Sequence, residues 1–129
     1  MCDYDQPIDR EWMKNRILMR LSDWGADISG GMDRFLYDEA LYMKCLKRFP
    51  ADPAFERLDE AVKKKDSENA YEAAHTLKGA SGTLNLIPFY RILSRVLKDI
   101  QGKDTAAFYL DYMKLLEQRK EYELLIAAE

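Results

Sequence analysis

His75 is the one histidine among 129 residues, and it opens the run His75-Thr76-Leu77-Lys78-Gly79, with Gly82 three residues further on. An imidazole is mostly neutral at cytosolic pH, and its free ring nitrogen then serves as a nucleophile without a dedicated base. Lys78 follows at i+3, within reach of any charge built on that ring, and phosphate is the natural partner for an ammonium held there. Gly79 lies one turn beyond His75 and carries no side chain to obstruct an approach. Glycine in a helix interior costs about 1 kcal/mol relative to alanine, so two glycines beside one imidazole imply that something comes close to it. Taken singly, each of these residues has an ordinary reading: a surface histidine, a solvated lysine, a glycine that lets helices pack closely. Their co-location is what points to chemistry.

The helix around them sets the co-location. Ala70, Ala73, Ala74, Leu77, Ala80, Ser81 and Leu84 recur at helical spacing and form a small-residue stripe suited to close helix contact. At about 100° per residue, His75 points away from that stripe, together with Glu68, Tyr71, Glu72, Lys78, Gly79 and Gly82. Asp66 or Ser67 starts this helix, and Asn85 suits a left-handed cap after it. Helical periodicity runs almost from end to end of the chain, and no period-two alternation flanked by turn residues appears, so the fold is predicted to be all-α. A first helix is expected from about Ile8 to Leu21, burying Ile8, Trp12 and Leu18 to Leu21, before Gly25 and Gly30-Gly31 make a loop. Asp38 caps a helix that buries Tyr42, Cys45, Leu46 and Phe49 and stops at Pro50. Asp52-Pro53 reads as cap and first helical residue of the next, with Phe55, Leu58 and Val62 inward. Pro88 fits the opening turn of a helix burying Phe89, Leu93, Val96 and Ile100 and closed by Gly102. Asp104 caps the last, with Phe108, Tyr112, Leu115, Tyr122 and Ile126 inward, and these two helices pair antiparallel across their short connection.

Length and composition predict one domain over residues 1–129: about 1–31 an N-terminal helix and loop, about 32–129 a bundle, with the histidine helix at about 66–84. A net charge of −3 provides no basic field for nucleic acid, and Lys63-Lys64-Lys65 reads as a solvated helix end. No stretch approaches the roughly 20 apolar residues that span a bilayer, so no membrane association is expected. Cys2 and Cys45 stand in unlike contexts, which argues against a disulfide framework and for a cytoplasmic protein.

The stretch Ala70-Tyr71-Glu72-Ala73-Ala74-His75-Thr76-Leu77-Lys78-Gly79-Ala80-Ser81 resembles the phosphorylation helix of histidine-containing phosphotransfer (HPt) domains, whose signature is His-x-Leu-Lys-Gly followed by small residues. Arg34-Phe35-Leu36-Tyr37-Asp38-Glu39, with Tyr42, Leu46 and Phe49, is similar to the family's preceding helix, so the resemblance runs from about Met32 to the C-terminus. Many members have glycine where Asn85 and Tyr37 stand; Asn85 can take the same left-handed conformation. The resemblance implies an antiparallel four-helix bundle with one or two additional N-terminal helices. It implies His75 as phosphoacceptor through Nε2, Lys78 as charge support for the phosphoryl group, and Gly79 as access for the partner. It also implies a monomeric carrier with no independent catalytic activity. Response-regulator receiver domains and a hybrid sensor histidine kinase would be its partners. No cofactor is expected in this chain, the Mg²⁺ for transfer belonging to the receiver.

Two rivals are weaker. Glu72-x-x-His75 is half of a di-iron bundle motif, but the second histidine does not exist and His75 points outward. A helical module of similar fold could dock receivers or kinases without carrying phosphate, and phosphorylation separates that reading from the first.

Overall fold

The computed structural model describes residues 10–127; Cys2, Ile8 and the expected start of the first helix at Ile8 lie outside them. A 3₁₀ turn (Glu11–Lys14) leads into α1 (Arg16–Trp24), α2 (Ile28–Arg34) and α3 (Glu39–Arg48). A second 3₁₀ turn (Phe49–Ala51) precedes the four longer helices α4 (Pro53–Lys63), α5 (Ser67–Thr83), α6 (Ile87–Gln101) and α7 (Thr105–Ala127). There is no strand among the described residues. The all-α bundle expected from the sequence is therefore what the chain forms, with α4 packed on α5, α5 on α6 and α6 on α7.

Aspartates start the helices as their positions predict. Asp38 accepts from Leu41 N–H, Asp52 from Ala54, Asp66 from Asn69 and Asp104 from Ala107, each relieving a backbone donor that has no intrahelical acceptor. The three turns of the bundle share one construction. Lys65, Asn85 and Lys103 take left-handed φ values of 55°, 57° and 54°, and the next N–H in each turn reaches back to the last helical turn: Asp66 to Ala61 O, Leu86 to Ser81 O, Asp104 to Asp99 O. This is the Schellman closure. It turns the chain within three residues and makes successive helices antiparallel. In the third turn the left-handed residue is Lys103 and not Gly102, whose own φ of −80° is helical.

The N-terminal region holds one more helix, α2, than the sequence predicts, and its first α-helix starts later than expected. Asn15 accepts from the N–H groups of Ile17 and Leu18, so α1 begins there instead of running through from Ile8. Gly30 and Gly31 are not a loop but part of α2, capped by Asp27 on Gly30 N–H. Gly31 is buried in that helix because the Tyr42 ring and hydroxyl lie where a Cβ would stand. Tyr42 in turn donates to Leu84 O at 2.7 Å, and Tyr122 donates to Leu46 O at 2.8 Å. Both buried hydroxyls thus satisfy carbonyls at or near helix ends and fasten α3 to α5 and α7 to α3. Trp24, Phe49, Phe55, Phe89 and Tyr122 form a ring cluster beneath them.

Where α6 meets α7, Arg95 holds the buried Asp111 at 2.9 Å, and Asp99, one turn along α6, turns its carboxyl to the same Asp111. Oδ2 of Asp99 is shut off from solvent without a hydrogen-bond partner, and two carboxyl groups bond only when one carries a proton. Burial, then the hydrogen bond and charge of Asp111, push Asp99 up to about 6 from 3.8. The folded state holds this proton more tightly than the unfolded chain. The stability it contributes is complete below pH 3.8 and is lost as the pH rises through about 6. Asp99→Asn keeps a donor for Asp111 and removes that loss. Its Tm should match wild type near pH ~4 and exceed it by roughly 2–5 °C near pH ~7; an offset independent of pH in thermal melts contradicts this.

Candidate functional site

α5 is built to be wedged between neighbours on one side and open on the other. Ala70, Ala73, Ala74, Leu77 and Ser81 are buried, and their small volumes let α4 and α6 approach closely. The opposite side presents His75, Glu72, Thr76 and Gly79, all exposed. Thr76 and Thr83 return their hydroxyls to Glu72 O and Gly79 O, so neither competes for a ligand at the histidine.

Among the described residues the His75 ring makes no hydrogen bond. Its neighbour is Tyr71, one turn back, with ring planes 7° apart and centroids at 6.2 Å. Tyr71 is half-buried, and its hydroxyl accepts from Gln101 Nε2 at 3.2 Å, across to α6. Lys78 is half-buried with its ammonium 5.1 Å from the centre of the Tyr90 ring, also on α6. Such a cation–π contact holds a lysine head in place more than it buries it.

The two glycines differ. Among the described residues, a Cβ on Gly79 would meet nothing within 4 Å, so no packing contact there explains why this position inside the helix lacks a side chain. A Cβ on Gly82 would stand 3.3 Å from Tyr90 Cε2 and 3.4 Å from Cδ2. Gly82 therefore seats the Tyr90 ring against α5, and the expectation that it clears the approach to His75 is corrected. Tyr90 and Gln101 were not visible as site residues in the sequence, because helical phase tells which way a side chain points and not what a neighbouring helix places opposite it.

A shallow groove between α4 and α5 runs past His75, with Arg57, Glu60 and Lys64 on its α4 wall and Glu72 and Thr76 on its α5 wall. Its charges are mixed. No group of three or more His, Cys, Asp or Glu side chains is placed to hold a metal ion among the described residues, and no helix there is long and apolar enough to cross a membrane. Cys45 is a free thiol on α3.

The exposed histidine followed by Lys78 and Gly79 lies in a segment matched by a family model. The model of the Hpt domain covers residues 51–118, more than half of the chain, and takes in α4, α5, α6 and the first part of α7. The chain belongs to the Hpt-domain family. Hpt domains are phosphocarrier modules of two-component phosphorelays, working by histidine phosphotransfer with receiver domains and kinases. The match begins at Ala51, so Arg34 to Phe49, similar in sequence to the family's preceding helix, lies outside it. No curated protein and no solved structure matches the chain. Within this Hpt domain, α3 is tied to the bundle by the Tyr42 and Tyr122 hydrogen bonds.

Proposed function

We propose that this Hpt domain relays a phosphoryl group between aspartyl-phosphate receiver domains through His75. The observation that supports it most is an exposed imidazole that makes no hydrogen bond among the described residues, followed, at the next two positions of the same face, by an ammonium and by a glycine that no packing contact among them requires. In the forward step the Nε2 lone pair attacks the phosphorus of the receiver's aspartyl phosphate, and an N–P bond forms as the P–O bond to the aspartate breaks. The carboxylate leaves with the bonding pair, and the imidazole sheds its Nδ1 proton to solvent. The reverse sequence on a second receiver returns the phosphoryl group to a carboxylate. Lys78 offsets charge on the equatorial oxygens, and Gly79 leaves room for the receiver's active-site loops. The Mg²⁺ of the reaction belongs to the receiver's acidic pocket, where it balances phosphoryl oxygen charge; this chain contributes the nucleophile, the lysine and the open approach. The carrier acts as a monomer in the cytoplasm, fed by a hybrid sensor histidine kinase.

Incubation with a receiver carrying labelled phosphate tests this, since label should pass to the wild-type protein within the transfer assay. Binding of the receiver without uptake of label would leave a docking module in place of a carrier. Lys78→Ala should still take up label, slowed roughly 10-fold, because its role is electrostatic and partly screened at an exposed site. A loss as complete as that of His75→Gln would place Lys78 in docking or folding.

A further inference from the structure

A helical side chain leans toward the helix N-terminus, over the turn before its own Cα. For His75 that turn carries Tyr71. An imidazole's rotation about its last side-chain bond is broad and nearly two-fold, so an exposed histidine without a hydrogen bond has no fixed ring plane of its own. The Tyr71 ring lies parallel to it within 7°, with centroids 6.2 Å apart. Tyr71 is itself pinned, because its hydroxyl takes a hydrogen bond from Gln101 at the end of α6. The support therefore spans two helices, and the second helix is the one that also holds Lys78 through Tyr90.

We propose that Tyr71 is a positioning residue for His75: its ring, tied to α6 by Gln101, holds the imidazole in one plane so that the outer nitrogen meets phosphorus in line. The proposal rests on the relay reading above. The attacking lone pair lies in the plane of the imidazole, so a freely turning ring presents it correctly for only part of the time. Displacement needs the nucleophile aligned with the breaking bond, and fixing that alignment beforehand raises the rate of transfer within the docked complex. It adds nothing to docking itself. It also adds nothing for a small donor that can approach the ring from any direction.

Three measurements on Tyr71→Ala, Tyr71→Phe and wild type separate these effects. Transfer from a phosphorylated receiver at saturation should fall about 10-fold in Tyr71→Ala and about 2- to 3-fold in Tyr71→Phe, which keeps the ring and loses the Gln101 bond. Receiver Kd, measured with an unphosphorylated receiver, should stay within about 2-fold. Direct phosphorylation of the sole histidine by potassium phosphoramidate should likewise stay within about 2-fold, since that donor needs no fixed ring plane. Tyr71 also packs against the core, so helical circular dichroism and thermal melts of Tyr71→Ala are measured alongside, and Tyr71→Phe, which keeps the ring in that packing, shows the effect of the Gln101 bond without it. Wild-type transfer rates in Tyr71→Ala overturn the proposal, as does a Kd that weakens in step with the rate, which would make Tyr71 a contact residue. A parallel fall with phosphoramidate also overturns it, because the ring would then be altering nucleophilicity. Absence of receiver-driven uptake in the wild type, with phosphoramidate labelling intact, overturns the relay reading itself.

Discussion

His75→Gln is expected to abolish uptake of acid-labile phosphate from a phosphorylated receiver while leaving the fold intact. Glutamine is polar and helix-compatible but has no nitrogen lone pair able to attack phosphorus, because its amide nitrogen is conjugated with the carbonyl. The chain contains no second histidine, so no neighbouring imidazole can stand in. His75 is exposed and forms no hydrogen bond among the described residues, so its replacement opens no cavity and strands no buried polar group. Stability should therefore move by no more than about 0.5 kcal/mol. Helical circular dichroism and thermal melts check the second half, and label transfer the first. Label retained on the His75→Gln protein at wild-type levels would move the phosphoacceptor elsewhere.

The next largest effect is expected at Gly79, and it runs in opposite directions for stability and for function. Glycine in the middle of a 17-residue helix lowers helix propensity by about 1 kcal/mol relative to alanine. Nothing within 4 Å of a Cβ there would clash, so the molecule forgoes that stability without any packing return. Gly79→Gln should raise stability by about 0.5–1 kcal/mol, or a few degrees in Tm. The same side chain would project beside the imidazole and keep a receiver from bringing its phosphoryl group within bonding distance, slowing transfer roughly 100-fold. Stabilisation with an unchanged transfer rate would show that the open position serves something other than the partner's approach. Gly82 provides the contrast: its missing Cβ is explained by the Tyr90 ring, and Gly79 has no such explanation.

What could be read from the sequence was whatever depends on one stretch of chain. Each aspartate cap relieves a donor two or three residues away, and Asn85 sits in its turn for a reason local to that turn. The outward phase of His75 follows from the small-residue stripe on its own helix. What could not be read depends on a partner from another element. Gly30-Gly31 resembles a loop until Tyr42 is placed against it, and Gly82 resembles an access point until Tyr90 is placed on it. The Tyr71–Gln101 hydrogen bond joins residues 30 positions apart, and nothing in either segment indicates the other. Asn15 is a different case, since its type and position already mark a helix start. The apolar periodicity running through it concealed the break.

The most direct measurement is ³¹P NMR on the wild-type protein after incubation with a phosphorylated receiver. A phosphoramidate resonance characteristic of phosphohistidine substituted at Nε2 is expected, lost on acid treatment and absent from His75→Gln. A spectrum showing only the receiver's acyl phosphate and inorganic phosphate, with the histidine unmodified while the receiver is bound, would contradict it.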